Sequence, residues 1–570
     1  MPTPTPQIQE TLSPPTETPP PTLTPQPTAT PAPPRPVALF YSGAIDTLHP
    51  LYATSPGARD VLAALFVGCI GQDEQGAPVA LGCERTPTAE NGDATFIGDG
   101  LDRHLQVTFR IRPDWRWTDG TAVSAQDAVY AWELTMSPEA GLRDPLAQSV
   151  FSMTALDERT VIVRFMSAAQ ARAAAEGTLR GQVPFEYFSR LGDYAVYAER
   201  ERPLAPANYW AVLRWLPSHL LRDVPPMEQR SSAFAARPVG DGAYEIADVG
   251  SDRILLRPSA RPFPLGTPSI AGIEFIVGDS ATPASDDAPV ILFELPDSAT
   301  EDDVTAIGYP AGLEQLVFNV ERFPFDDLRV RQAVAHAIDR AALASNAQSA
   351  VPVESALAYD PARARALLAE AGWTCDVWPC RKAFSDANGA IVTRTLEFKL
   401  TTTEREPRNT TAQILQKQLA AAGFGVNVEI VYGLGRASKM FAPYEEGGIL
   451  LTRNFDAALY ETVAPTALGA RFGCAGIPTR ETHDFSKGNP GGFCDEAVDR
   501  LIAEAEDSES VISPRARAEA FARAEAAIQQ AAPFIPLYAI HRQVWLRGVD
   551  GIRPSPYAPI TWNAWTWRAR

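Results

Sequence analysis

Nowhere in the 570 residues is there a run approaching the roughly 20 consecutive apolar positions that a bilayer-spanning helix needs, which excludes a membrane-spanning helix. Basic residues are the scarcer sign. Fifty Lys and Arg face 69 Asp and Glu, for a formal net charge of −19. No basic stripe stands out, so neither nucleic acid nor an anionic membrane face is expected as a partner, and a large polyanion would be repelled. Histidine is rare: His49, His104, His219, His336, His483 and His541 are scattered, and none has a partner at i+3, i+4 or i+5. That spacing excludes a helical metal site, and neither a metal nor a cofactor is expected. There is no G-x-S-x-G elbow and no P-loop. Carboxylate pairs such as Glu445-Glu446 and Asp326-Asp327 read as solvated or capping groups in so acidic a chain. Nothing supports catalysis, and the expectation is a protein that is not an enzyme.

What is present points outside the cytoplasm. The six cysteines form three local pairs: Cys69 with Cys83, Cys375 with Cys380, and Cys474 with Cys494. An even count in close pairs favours disulfides in an oxidising compartment, each worth about 2–3 kcal/mol through closure of a short loop. Free thiols, or a zinc site at Cys375 and Cys380, are the alternatives, though C-x4-C has no second ligand pair nearby. Residues 1–36 are mostly Pro and Thr. Such a segment cannot bury enough surface to offset its ordering entropy and reads as a disordered tether. A tether suits a protein held off a surface. With Met1 taken to replace a removed signal and an anchoring residue, the expected location is extracytoplasmic, in the periplasm or on the outer face of the cell membrane, with a lipid anchor.

The remainder alternates strand and helix. In "HLQVTFRIRPDWRWTDGTAVSAQDAVYAWEL" (104–134), Leu105, Val107, Phe109 and Ile111 have the period of a half-buried strand. Asp119-Gly120 gives a turn, and Ser124 with Asp127 resembles a capping box. "VGDGAYEIADVGSDRILLRP" reads as a hairpin with turns at Gly240 and Gly242. "DDLRVRQAVAHAIDRAAL" places Val330, Val334, Ala337, Ile338 and Ala341 on one helical face. "DPARARALLAEAGW" has Asp360 as cap, Pro361 in the first turn and Gly372 at the end. "LEFKLTT", "TAQILQKQLAAAGF" and "GVNVEIVY" form a strand–helix–strand unit of parallel sheet, and "FIPLYAIHRQVWLRGVDGI" returns to strand. The class is α/β.

"FRIRPDWRWTDGTAVSAQDAVYAWEL", with Trp117, Asp119-Gly120, Ser124 and Asp127, resembles the signature of the family 5 extracytoplasmic solute-binding proteins, the oligopeptide-, dipeptide- and nickel-binding components of ABC importers. Further blocks agree in order: "LHP" at 48–50, "LPSHLL" at 216–221, "VGDGAYEI", "LVFNVERFPFDDLRVRQAVAHAIDRAAL", "NFDAAL", "GGFCDEAVDRLIAEA" and "APFIPLY". The resemblance implies a two-lobed periplasmic-binding-protein-like fold. Lobe one would comprise 37–310, with an extra subdomain at about 56–205, and the C-terminal return 536–570. Lobe two would be 311–535. Two strands would cross between them, near Phe318-Asn319 and Pro536-Leu537-Tyr538. It also implies a monomer that takes a small-molecule or peptide ligand and delivers it to ABC permease subunits. A sensory module presenting a solute to a signalling partner is the alternative reading, with an extracellular hydrolase behind it.

The departures from the family bear on the ligand. Thr462 stands where peptide-binding members carry a Trp, Pro465 where they carry the Asp that pairs with the peptide amine, Leu459 where some carry an arginine, and Thr54 in place of an early glutamate. The amine anchor is missing unless Glu461 takes its role. By position, the expected pocket is Tyr52, Thr54, Ser55, Leu146 and Gln148 from lobe one, and Tyr432, Tyr460, Glu461 and Thr462 from lobe two. This aromatic, hydroxyl-rich lining with one carboxylate suits a neutral or cationic solute. A simpler expectation concerns the tether: deleting residues 1–36 should leave the melting temperature unchanged in a thermal scan, because a segment that cannot pack contributes nothing to the folded body.

Overall fold

The structure, a computed structural model, describes residues 35–41, 43–178, 203–278, 288–294, 304–347, 350–385, 388–433, 438–462, 468–481, 488–506 and 508–570. Residues 1–34 of the tether, and Pro465, lie outside them.

Two antiparallel strands of 14 residues each, Thr305–Phe318 and Phe534–Arg547, run side by side from the pair Thr305–Leu546 to the pair Val317–Phe534. At one end the sheet continues through Val290–Leu292, Val37–Tyr41, Ile273–Val277, Arg253–Pro258 and Tyr244–Val249. At the other end Ala457–Thr462 pairs with Leu313–Phe318, followed by Glu397–Thr403 and Gly425–Val431. Ala350–Pro352 there pairs with Tyr538–Ile540. In between, among the described residues, Ile307–Pro310 and His541–Val544 have only each other as sheet neighbours. This is a mixed α/β fold of two lobes joined by two crossing strands. The two-stranded passage lies at these residues. Phe318, Leu537 and Tyr538 are instead deep in the second lobe, fully buried in its core.

Local chemistry accounts for the elements around this axis. In the second lobe, Glu397–Thr403 and Gly425–Val431 are parallel, bridged by the helix Arg408–Ala421, as the strand–helix–strand pattern predicts. The run expected as one helix is two, Leu328–Ala337 and Arg340–Ser345. Ile338 turns extended, and the Asp339 carboxylate caps the second helix by accepting from the Ala342 amide at 3.0 Å. Val330, Val334, Ala337 and Ile338 are buried, whereas Ala341 lies beyond the break and is exposed. Asp360 caps the helix Pro361–Glu370, and Gly372 takes φ +84° beyond its end. All three expected cysteine pairs are disulfides, and no cysteine is free.

Between Val37–Tyr41 and Tyr244–Val249 the chain builds a second, four-stranded antiparallel sheet in the order Ala94–Ile97, His104–Arg110, Thr160–Phe165, Val150–Ala155. Here the signature stretch explains itself. The Asp127 carboxylate accepts from the Trp117 indole (3.1 Å), the Ser124 amide (2.9 Å), and the Ser218 amide (2.9 Å) and hydroxyl (2.6 Å). Asp119 meets His219 at 2.7 Å. Two blocks about 90 residues apart, 104–134 and 216–221, are thereby fastened by the buried Asp127 carboxylate and, at the surface, by the Asp119–His219 pair. Asp241 does the same one layer over, accepting from the Trp115 and Trp215 indoles (3.0 and 2.6 Å) and the Val67 amide (3.0 Å). Gly240 and Gly242 are not turn residues. A Cβ at Gly240 would stand 2.1 Å from the Leu65 carbonyl oxygen and one at Gly242 2.7 Å from that of Ala64, so their role is close approach to the end of the helix Pro56–Leu65. The hairpin turn lies further on, between Val249 and Arg253.

The lobes also meet away from the crossing strands. Val511 and Ile512 are buried in the core of the second sheet, and the Ala89 amide donates to the Ile512 carbonyl at 2.8 Å.

Asp241→Ala would leave two buried indole N–H groups and an amide without an acceptor. The expected loss is about 3–5 kcal/mol in denaturant unfolding, with a smaller loss for Asp241→Asn, which keeps an acceptor oxygen.

Candidate functional site

Where the two strands pass between the lobes there is a cavity of about 240 Å³. Its floor is Pro310–Leu313 of the first crossing strand, one wall is Thr462 and Arg471, and the other is Pro556 and Tyr557. The floor carries a bulge: Pro310 pairs with His541 and Gly312 with Ile540, so Ala311 is left out of the ladder. Bulges commonly re-aim the chain beside binding sites.

The tail wall belongs to the first lobe because a buried acid pins it there. Asp60, on the helix Pro56–Leu65, accepts from the Tyr41 hydroxyl at 2.5 Å and the Ile560 amide at 2.8 Å, and its backbone carbonyl takes the Thr561 hydroxyl. Burial, partly offset by these donors, pushes the Asp60 carboxyl up to about 6. Arg553 pairs with Glu74 at 3.2 Å, and the Tyr557 ring sits against Gly76.

The opposite wall is set by strand alternation. Along Ala457–Thr462, Tyr460 and Thr462 share a face with their register partners Gln315 and Leu313, while Glu461 points to the other face with Glu314. On that other face Arg408 holds Glu314 bidentately (2.7 and 3.1 Å) and donates to Thr403 at 2.7 Å. Arg408 and Glu314 are only 7% and 3% exposed, and burial raises the Glu314 carboxyl above its ordinary range. Glu461 is paired with Arg405 at 3.1 Å and lies 4.0 Å from Arg408. On the cavity face, Arg471 donates to the Gln315 side-chain oxygen at 2.7 Å, and its guanidinium lies over the Phe472 and Phe534 rings at 4.8 and 5.5 Å. Burial pulls its pKa down, opposed by the nearby Tyr460 phenol. Burial likewise pushes the Tyr460 phenol up to about 12.

The residues expected from sequence fall in several places. Thr462 lines the 240 Å³ cavity, and Tyr460 lines a smaller adjoining one of about 20 Å³ that shares Arg471. Glu461 is beside them in sequence but on the opposite face, its charge already matched. Thr54 and Ser55 hydrogen-bond the Asp46 carboxylate through their hydroxyls (2.6 and 2.8 Å), and Ser55 also caps the helix Pro56–Leu65. Tyr52 packs edge-on to His49 at 4.9 Å and donates to the Ala140 carbonyl at 2.9 Å. Leu146 lines a separate cavity of about 450 Å³ with Asp144, Ser149 and Asn208, and Gln148 is buried. Tyr432 is 72% exposed, just past its strand. Sequence reasoning missed the bulged floor, Pro556-Tyr557 and Arg471. The available signal for Arg471 was a lone cation in the otherwise uncharged "TVAPTALGARFGC", where the family's acidic anchor is absent.

The two lobes, the pair of crossing strands and a cavity walled by both lobes define a two-lobed solute-binding protein. The profile of bacterial extracellular solute-binding proteins, family 5 Middle, matches residues 101–464, and the chain belongs to that family. A Brucella ovis protein bearing the name of an ABC transporter peptide-binding protein is 23% identical over 373 residues, covering 57% of this chain. The chain spans 63% of the length of that curated relative. Among solved structures, the murein tripeptide-binding protein MppA in its unliganded open form is similar at 17% identity and a TM-score of 0.63, with 94% of this chain and 98% of that one covered. HbpA2 from Haemophilus parasuis follows at 14% identity and 0.62, covering 94% and 100%. At these identities the likeness establishes the fold.

Removing one partner of the buried pair tests the wall. Glu314→Leu would strand the Arg408 charge and is expected to cost about 3–5 kcal/mol in denaturant unfolding, whereas the double substitution Glu314→Leu/Arg408→Met should recover most of it.

Proposed function

We propose that this protein is the solute-binding receptor of an ABC-type importer, holding a small or peptide-like solute between its lobes and delivering it to a membrane permease. The observation that carries this reading is the cavity at the two-stranded passage, with one wall from each lobe, in a chain of family 5. The name of the Brucella relative supports a peptide-like solute. On this reading lobe one is 37–310 with the subdomain 56–205 and the return 536–570, lobe two is 311–535, and the protein works as a monomer outside the cytoplasm, lipid-anchored through a segment preceding the tether. On this reading it binds and releases its solute and does no chemistry on it.

Lobe rotation about Ile307–Pro310 and His541–Val544 would bend two strands only, while parting Val511 and Ile512 from the second sheet's core. Native mass spectrometry of protein purified without refolding is expected to show a retained solute, absent from Ala311→Trp, whose indole would rise from the bulged floor into the cavity. Small-angle scattering is expected to show a smaller radius of gyration on adding that solute back. Retention unchanged in Ala311→Trp would place the solute elsewhere.

A further inference from the structure

We propose that Val511 and Ile512 are a latch, a plug from lobe two that seats in the core of lobe one's four-stranded sheet and sets how readily the lobes part. This rests on the receptor reading only in requiring that the lobes move, and its test needs no solute.

The two residues lie between the helices Glu496–Ala505 and Pro514–Ala531, which pack on each other in lobe two through Val498, Ile502, Ala520, Ala524 and Ile528. Val511 and Ile512 take no part in that core. They are 7% and 5% exposed because they sit in the opposite lobe's core, with Phe109, Trp115 and Trp215. Parting the lobes would return both side chains to water, at a cost that scales with their apolar area. Among the described residues they are the only ones of lobe two in that core, so the contact can open without unfolding either lobe. Polar joints surround the plug. The Ala89 amide donates to the Ile512 carbonyl at 2.8 Å, and Arg517 donates to the Ala207 carbonyl at 3.2 Å. The Ser513 hydroxyl accepts from the Ala516 amide as cap of Pro514–Ala531 and donates to the Glu90 carboxylate at 2.5 Å. Glu90 also accepts from the Arg515 amide, and these donors hold its carboxyl below the ordinary range. A carboxylate of lobe one thus stands at the N-terminus of an 18-residue helix of lobe two, where free amides and the helix dipole favour an anion. The latch is also joined to the cavity wall. Arg471 is carried by the helix Leu468–Phe472, whose Gly469 amide donates to the Glu506 carboxylate at 3.0 Å, and Phe472 belongs to the core that holds both latch helices. Wall and plug are therefore mounted on one packed unit. Seating the plug holds the wall up to Pro556 and Tyr557, and withdrawing it lets both swing away about the two-stranded passage.

The test is hydrogen exchange of the full chain, resolved to single amides, together with small-angle scattering. The Ala89 amide reports on the latch, and the Thr108 amide, which donates to the Asp93 carbonyl at 2.7 Å beside the same core, reports on lobe one itself. In the parent, Ala89 should exchange at least about 10-fold faster than Thr108, because unlatching is a local opening that leaves the sheet folded. Ile512→Ala should speed exchange at Ala89 by about 10- to 100-fold, leave Thr108 unchanged and enlarge the radius of gyration, whereas Ile512→Val should stay within about 10-fold of the parent. Glu90→Ala, a change at the surface, should move Ala89 in the same direction by a smaller factor. Three results would overturn the proposal: Ala89 as slow as Thr108 in the parent, which would make the contact a permanent part of lobe one; equal acceleration of both amides in Ile512→Ala; or a radius of gyration unchanged in that variant. The parent comparison and Glu90→Ala decide the question even if Ile512→Ala does not fold. The receptor reading fails separately, if no solute is held by the parent and lost in Ala311→Trp.

Discussion

The pairing of Thr305–Phe318 with Phe534–Arg547 is the constraint on which the rest depends. Each strand is long enough to pair towards both ends of the sheet, and over a short central stretch they have, among the described residues, no other sheet neighbour. A two-stranded ribbon twists and bends far more readily than a broad sheet, so flexibility is concentrated there while both ends are clamped in packed cores. The cavity lies on the ribbon, and the ladder is broken by a bulge where it passes beneath the cavity.

On either side of the ribbon, the protein spends buried carboxylates on geometry. Asp127 and Asp241 each collect donors from segments far apart in sequence, and Asp60 ties the C-terminal segment to the first helix of lobe one. Each satisfies indole, hydroxyl or backbone donors that burial would otherwise leave without partners. The strand–turn–helix signature lacks catalytic groups because its polar side chains are joints, and the tail wall of the cavity is a consequence of one such joint.

The strand Ala457–Thr462 separates two kinds of charge. Its Glu461 face is closed: two acids and two arginines neutralise one another behind the sheet. Its Tyr460–Thr462 face lines the two adjoining cavities together with Arg471. A one-residue shift of register would exchange these faces, so the chemistry offered to a solute is decided by pairing with Leu313 and Gln315 as much as by composition.

The α/β class, the strand–helix–strand unit, the helix caps at Ser124 and Asp360, the local cysteine pairs and membership of family 5 were legible in the sequence. Each depends on periodicity, on short-range spacing or on blocks of residues in a fixed order. The same reasoning misplaced what depends on distant neighbours. It gave Gly240 and Gly242 to turns, because nothing local shows the end of the helix at Leu65 pressing on them. It ran one helix through Ile338, where Asp339 starts another. It took Glu461 for the charge facing the solute, because adjacency in sequence does not show which face a strand buries or that Arg405 and Arg408 stand opposite. Arg471, Pro556 and Tyr557 come together only once the crossing strands and Asp60 have set the lobes and the tail in place. Sequence alone determined which elements form and what family they build; the tertiary structure decided which side chains share the cavity, because that depends on register and on long-range contacts that no local pattern encodes.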